Sequence, residues 1–253
     1  MTATVVIPAR FGSTRFPAKI LASETGKPLV QHVVERVMQC RRVSDVIVAT
    51  DDVRISQALR PFETRVVMTS AAHQSGTDRI AEVARGLPAA VDIIVNVQGD
   101  EPEIEPDIVD RLIARMETST DDMATAATPF PRGADPADPN LVKVVLSQEG
   151  RAIYFSRSPI PHRRDATQAE PPPYYLHLGI YAYRREFLLK FASWPPTPLE
   201  TTEKLEQLRA VEHGRSIYVL KVDRATHGID TPAQYREFVD RFRRDEPRVR
   251  TVS

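Results

Sequence analysis

The sequence predicts an α/β protein built on a mainly parallel sheet flanked by helices, with an antiparallel insertion. Two observations carry this. Four short β-branched runs alternate with segments of helical spacing through the first 120 residues, the signature of βαβ units. Beyond residue 120 the strand-like runs follow one another without helices of normal length between them, which predicts antiparallel pairing there.

In chain order, Val5–Ile7 is an apolar run stopped by Pro8, suited to a strand buried on both faces. Leu29–Met38 has helical spacing, Val46–Thr50 is the second strand, Val53–Leu59 the second helix and Val66–Met68 the third strand. Arg79–Ala84 is again helical, Ile93–Val97 is the fourth strand, and Pro106–Glu117 is a helix that opens on proline, a good first helical residue. Then come strand-like Val142–Leu146, Ala152–Ser156 and Leu178–Tyr183. The proline-rich, charged stretch Arg157–Tyr175 reads as an exposed loop. Helices return at Pro198–Glu212 and Pro232–Arg243, and Arg244–Ser253 is expected to be a flexible tail. Residues 1–253 therefore form one domain, with 120–185 as its antiparallel portion.

Composition removes several function classes. With 34 basic and 34 acidic residues the formal net charge is zero, so a nucleic-acid partner is not expected. No apolar run approaches the ~18 residues of a membrane span and no leader pattern opens the chain, so a soluble, cytoplasmic protein with no membrane partner is expected. The single cysteine, Cys40, rules out an internal disulfide framework and reads as a small buried hydrophobe. No two of the ten glycines stand two or four apart, which excludes GxGxxG and GxSxG, and Gly26-Lys27 is followed by proline rather than by the hydroxyl of a P-loop. The six histidines never fall in an HExxH spacing, so zinc hydrolysis has no support.

Three clusters carry potential chemistry. The loop after the first strand, PARFGSTRFPAK (Pro8–Lys19), gathers Arg10, Arg15 and Lys19 with two hydroxyls, and would either cradle a polyanion or simply be a solvated loop. After the fourth strand, NVQGDEP (Asn96–Pro102) places Asp100 where it would hold Mg²⁺ beside a phosphate or cap the next helix. HGIDTP (His227–Pro232) offers Asp230, either a helix cap or a second metal carboxylate. His177, alternating with Leu176 and Leu178, reads by itself as a satisfied strand histidine.

Together with HQSGTDR (His73–Arg79), YFSR (Tyr154–Arg157), HLGIY (His177–Tyr181), Leu199-Glu200 and LEQLR (Leu205–Arg209), these clusters resemble, in order and over residues 4 to about 240, the 3-deoxy-manno-octulosonate (Kdo) cytidylyltransferases, or CMP-Kdo synthetases. The resemblance implies a nucleotide-diphospho-sugar transferase-like fold. It also implies transfer of the cytidylyl group of CTP to the anomeric hydroxyl of Kdo, releasing pyrophosphate, for lipopolysaccharide synthesis. By the same resemblance Arg10, Ser13, Arg15 and Lys19 hold the triphosphate, while Gln74, Ser75, Gly76, Arg79 and Gln98 border the nucleoside. Asp100 and Asp230 are the implied Mg²⁺ ligands and, with Lys19, the catalytic set. Arg157 would meet the sugar carboxylate, and His177, Tyr181, Glu206 and Gln207 the sugar hydroxyls. Glu206 and Gln207 are adjacent on the expected helix and would not share a face. A homodimer through the antiparallel portion is also implied. The chain departs from the pattern at Ala18, where many members have glycine, and at Ala233-Gln234, where an acidic pair is common. Alternatives are a cytidylyltransferase for amino-Kdo or another sugar acid, a nucleotide-sugar glycosyltransferase, and a non-catalytic nucleotide binder.

Overall fold

Strand β1 (Thr2–Pro8) forms the centre because its TATVVIP run is apolar on both faces, and Val5, Val6 and Ile7 are fully buried. The computed structural model describes residues 1–13, 15–162, 164, 174–224 and 228–245. Parallel neighbours flank β1: β2 (Val43–Thr50) on one side and β4 (Val91–Asn96) on the other, with β3 (Val66–Met68) beyond β2. On the far side of β4 the sheet continues through β8 (Tyr175–Arg184), β5 (Met123–Pro129) and β9 (Ile217–Lys221), in the order β3-β2-β1-β4-β8-β5-β9. β8 runs antiparallel to both β4 and β5, and β9 parallel to β5. The hairpin of β6 (Lys143–Leu146) and β7 (Ala152–Ser156) hangs from β8 through β6.

Alternation along the strands feeds two cores. Val5, Ile7, Val48 and Val95 pack with helices α1 (Leu29–Val37), α2 (Val53–Leu59) and α4 (Pro106–Thr118). Val6, Ile47, Ala49 and Ile94 face α3 (Gly76–Arg85), α5 (Arg185–Ser193) and α7 (Leu208–Glu212). A third cluster joins α8 (Pro232–Asp245) to the start of α1 through Tyr235, Phe238 and Leu29. Cys40 is buried, as its sequence context suggests.

Three elements differ from the sequence reading. β5 was not expected, because MATAATP lacks the bulky β-branched run of a strand; it is buried along nearly its whole length between two strands. Within 120–185 the pairings of β5, β6, β7 and β8 with one another are all antiparallel, and the parallel partner of β5, β9, lies outside that region. β9 and α5 were likewise not expected; α5 starts on the residue after β8 ends, with no spacer to mark it. The helix expected over Pro198–Glu212 is two, α6 (Pro198–Glu203) and α7, broken at Lys204, which holds a left-handed φ of 53°. Most of the proline-rich loop, Thr14, His227 and the tail from 246 onward lie outside the described residues; α8 itself runs to Asp245.

Candidate active site

β1 and β4 are paired with Val6 opposite Asn96, so the loops that follow both strands leave the same carboxyl edge of the sheet. Gly99 lets them meet: a Cβ there would lie 3.1 Å from the Pro8 carbonyl oxygen and 3.3 Å from Ile20 Cδ1. The resulting cleft of about 690 Å³ is lined by Arg10, Ser13, Arg15 and Lys19 from the first loop and Gln98 and Asp100 from the second. Gly76 at the start of α3 and Asp230 complete the wall.

Lys19 organises the floor. Its Nζ donates to Asp100 Oδ2 at 2.5 Å, Asp230 Oδ1 at 3.1 Å and the Ile229 carbonyl at 2.8 Å. Arg15 adds a second cation, 3.0 Å from Asp230 Oδ1. The Ile229 N–H donates to the Asp100 carbonyl at 2.8 Å, tying the two acidic loops together. Neither aspartate caps a helix. α4 begins after Glu105 with no side-chain cap, and at the start of α8 it is Thr231 Oγ1 that accepts the Gln234 N–H, at 3.3 Å. Both carboxylates turn instead to Lys19, with Arg15 also on Asp230, so neither is taken up as a helix cap. Among the described residues no three His, Cys, Asp or Glu side chains converge as a metal cluster. Two carboxylates beside two cations are a donor set that would suit Mg²⁺, which keeps waters and takes other oxygens as its remaining ligands.

Arg10 Nη2 donates to the His73 carbonyl at 3.4 Å, reaching across to the loop before α3. Ser75 is the N-cap of α3 in a reciprocal capping box with Asp78, so Ser75 and Gly76 sit at a fixed helix N-terminus, where backbone N–H groups favour anions. On its other side, Gln74 and Ser75 border a second groove of about 650 Å³ that also receives Lys204 and Glu206. Arg79 is buried beneath α3, where it pairs with Asp51 at 3.0 Å and donates to Thr69 Oγ1 at 2.5 Å. It braces the ends of β2 and β3 and does not line the cleft, contrary to its expected place beside the nucleoside.

Gln98 links the cleft to β8 through an Nε2 hydrogen bond to the Gly179 carbonyl at 3.3 Å. His177 and Tyr181 lie on either side of Gly179, with ring centroids 5.5 Å apart. Burial pushes the His177 pKa down to about 3, so the ring is neutral. The single Thr125 hydroxyl proton goes to a backbone carbonyl, Ile180 at 2.7 Å being the nearer. His177 Nε2–H must then be the donor to Thr125 Oγ1 at 3.0 Å, leaving Nδ1 as an acceptor. Burial raises the Tyr181 hydroxyl, which stays a protonated donor.

Glu206 and Gln207 occupy the turn that opens α7 rather than the middle of a helix, so the expected conflict of faces does not arise. Glu206 accepts from Thr77 Oγ1, on the first turn of α3. Burial raises its carboxyl pKa, and its Oε1 is buried with no hydrogen-bond partner. Gln207 Nε2 is also buried and unpartnered. An orphaned acceptor and an orphaned donor on consecutive residues fit a polyhydroxylated ligand.

Arg157 differs from its expected role. Its Nε donates to the Glu203 carbonyl at 2.7 Å, Nη1 to Pro139 at 2.6 Å and Nη2 to Lys204 at 3.2 Å. All three nitrogens hold backbone carbonyls, so the guanidinium braces a turn instead of presenting a free fork to a carboxylate. Thr77, Gly99 and Glu203 were missed by sequence reasoning. Thr77 and Gly99 stood inside the matched motifs, whereas Glu203 carried no local signal.

Comparison with known proteins agrees with this geometry. The cytidylyltransferase family model matches residues 4–217. The chain belongs to the cytidylyltransferase family. It is 49% identical to the 3-deoxy-manno-octulosonate cytidylyltransferase of Geobacter metallireducens, over 96% of this chain and 99% of that one. Identity to the protein of the same name from Rhodopirellula baltica is 46%, with the same coverage. A solved CMP:2-keto-3-deoxy-manno-octonic acid synthetase complexed with CTP superposes with a TM-score of 0.89 at 41% identity, covering 96% of this chain and 99% of that one. The 4-diphosphocytidyl-2C-methyl-D-erythritol synthase of Anaerococcus prevotii, only 10% identical at a TM-score of 0.62, shares the fold alone. In this cytidylyltransferase the candidate cleft lies on the carboxyl edge of the sheet, where α/β folds bind ligands.

Proposed function

We propose that this chain transfers the cytidylyl group of CTP to the anomeric hydroxyl of Kdo, giving CMP-Kdo and pyrophosphate. The observation that carries the reading is the convergence of Lys19, Asp100 and Asp230 at one point of a cleft whose rim holds Arg10, Ser13 and Arg15. The hydroxyl oxygen attacks the α-phosphorus and the bond to the β-phosphate oxygen breaks, so no protein nucleophile is required. Catalysis then depends on positioning and on positive charge at the phosphates. Arg10, Ser13, Arg15 and Lys19 bind the triphosphate, and Gln74, Ser75, Gly76 and Gln98 border the nucleoside. Asp100 and Asp230 are the residues that would hold Mg²⁺, whose chemistry when bound is to neutralise phosphate charge and acidify a coordinated hydroxyl.

His177 Nδ1, Tyr181, Glu206 and Gln207 read the sugar hydroxyls. With its pKa near 3, His177 is a neutral ring at pH 7: Nε2 keeps its proton on Thr125 and Nδ1 accepts a hydrogen bond. A homodimer is proposed through the β6–β7 hairpin: among the described residues β7 pairs only with β6, and Ile153 on it is 56% exposed. Among the described residues no helix is long and apolar enough to cross a membrane. We place the reaction in the cytoplasm, ahead of lipopolysaccharide assembly.

The test is pyrophosphate release with CTP and Mg²⁺, comparing Kdo, amino-Kdo and N-acetylneuraminate. Kdo-dependent release that EDTA abolishes is expected. Release with another acid alone would keep the chemistry and replace the substrate.

A further inference from the structure

The turn that carries Glu206 and Gln207 is not one its own sequence favours. It begins at Lys204, a residue with a Cβ in the left-handed region. Two clamps hold it. On one side Arg209 binds Glu200 through two hydrogen bonds of 2.7 and 2.6 Å, closing α6 against α7. On the other, the last residue of α6, Glu203, reaches the end of β7: its Oε1 accepts from Ser156 Oγ at 2.6 Å and its Oε2 from the Arg157 N–H at 2.9 Å. Arg157 answers by donating to the carbonyls of Glu203 and Lys204, the free acceptors at the C-terminus of α6. Lys143, fully buried, donates to the Arg157 carbonyl and to that of Asp138 at 3.1 Å, fixing the strand end from below.

We propose that Glu203 is a positioning residue for the sugar-acid half of the site, holding the 204–207 turn on the β7 end through Ser156 and Arg157. The clamp reaches the substrate only through Glu206 and Gln207, because Glu203 and Arg157 spend their polar groups on one another, on the Ser156 hydroxyl and on backbone. On the nucleotide side the same turn is met through Glu206, by the hydroxyls of Thr77 and Ser75, while the Glu203 carboxylate is held on the far side by Ser156 and Arg157. Loss of the clamp should therefore weaken sugar binding while leaving CTP binding nearly intact. The inference rests on the reading that Glu206 and Gln207 contact the sugar acid.

The experiment measures KM for Kdo and for CTP separately, by pyrophosphate release, for Glu203→Ala, Glu203→Gln, Ser156→Ala and Glu206→Gln, with thermal unfolding of each. Glu203→Ala is expected to raise the Kdo KM tenfold or more and the CTP KM less than twofold. Glu203→Gln retains one acceptor for the Arg157 N–H and should recover most of that loss; Ser156→Ala, which removes one hydrogen bond, should raise the Kdo KM about threefold. A merely structural role would lower the unfolding temperature without separating the two KM values, and that outcome overturns the proposal. Should Glu203→Ala fail to fold, Ser156→Ala with an unchanged Kdo KM overturns it equally. Glu206→Gln separates the two readings. If it leaves the Kdo KM unmoved, the turn is not the sugar site; if it raises the Kdo KM while Glu203→Ala does not, only the role given to Glu203 falls.

Discussion

Lys19→Met removes one ammonium and keeps the aliphatic stem, which isolates what that charge does. In the wild-type chain Nζ makes three hydrogen bonds, to Asp100, Asp230 and the Ile229 carbonyl. The Asp100 bond is the best shielded, its side chain being 26% exposed, and losing it costs about 1.5 kcal/mol. Asp230 is 41% exposed and keeps Arg15, so solvent screening reduces its share to about 0.5 kcal/mol. The Ile229 carbonyl left without its donor adds about 1 kcal/mol. The sum, about 3 kcal/mol, should lower Tm by roughly 6–12 °C in a domain of this size. Turnover should fall more steeply, by about 10²–10³, since a fixed positive donor is lost where phosphate charge develops. The two carboxylates would then keep only the exposed Arg15, on Asp230, so Mg²⁺ should raise the Tm of the variant more than that of the parent. Thermal unfolding with and without Mg²⁺, alongside pyrophosphate release, reads all three. A variant within 1 kcal/mol of the parent and within threefold of its turnover would refute the account of Lys19.

Three further outcomes follow from the same coordinates. Asp100→Asn keeps the shape and removes the charge; turnover should drop by at least about 10² with Tm changed by only a few degrees, and full activity would remove Asp100 from the cation site. Ala18→Gly should stabilise the protein by about 0.5–1 kcal/mol in urea titrations, since Ala18 sits at a left-handed φ of 55° that costs a residue with a Cβ more than glycine loses in chain entropy; a destabilised variant would show that the methyl group's packing outweighs the strain. His32 is buried, with its pKa pushed down to about 4 first by burial and then by Lys27. Its neutral form is the one the fold prefers, so its contribution is present above about 6.5 and is lost as pH falls through 4, about 2 kcal/mol of it between pH 7 and pH 5. His32→Gln, which can still bond Thr25, should flatten that part of the pH–stability curve, and an unchanged slope would assign the loss elsewhere.

Much of this molecule can be read without coordinates. The β-branched runs in β1, β2, β3 and β4 must be buried to leave water, and their alternation with amphipathic segments admits little but a parallel sheet. The first loop, the Gln98–Asp100 segment and the Asp230 loop were legible because each follows or precedes a periodic element and carries residue types with specific chemistry. Ala18 was visible as a departure from glycine, though only its φ gives the reason. β5 was hidden because a strand enclosed on both sides accepts alanine and threonine, which have no strong strand preference of their own.

The residue types of the cleft follow from local sequence, since each loop sits at a strand end whatever the rest of the chain does. Their roles do not. Arg79 and Arg157 carry the same guanidinium as Arg10, and only the fold shows that the first is buried on Asp51 and the second is spent on backbone carbonyls. Asp230 as helix cap or as acid of the site is decided by Thr231, whose hydroxyl accepts the Gln234 N–H at the start of α8 and leaves the Asp230 carboxylate to Arg15 and Lys19. A side chain's partners are set by what lies within about 3 Å of its atoms. In the cleft those neighbours come from as far as 211 positions away, between Lys19 and Asp230, a separation that no local pattern encodes.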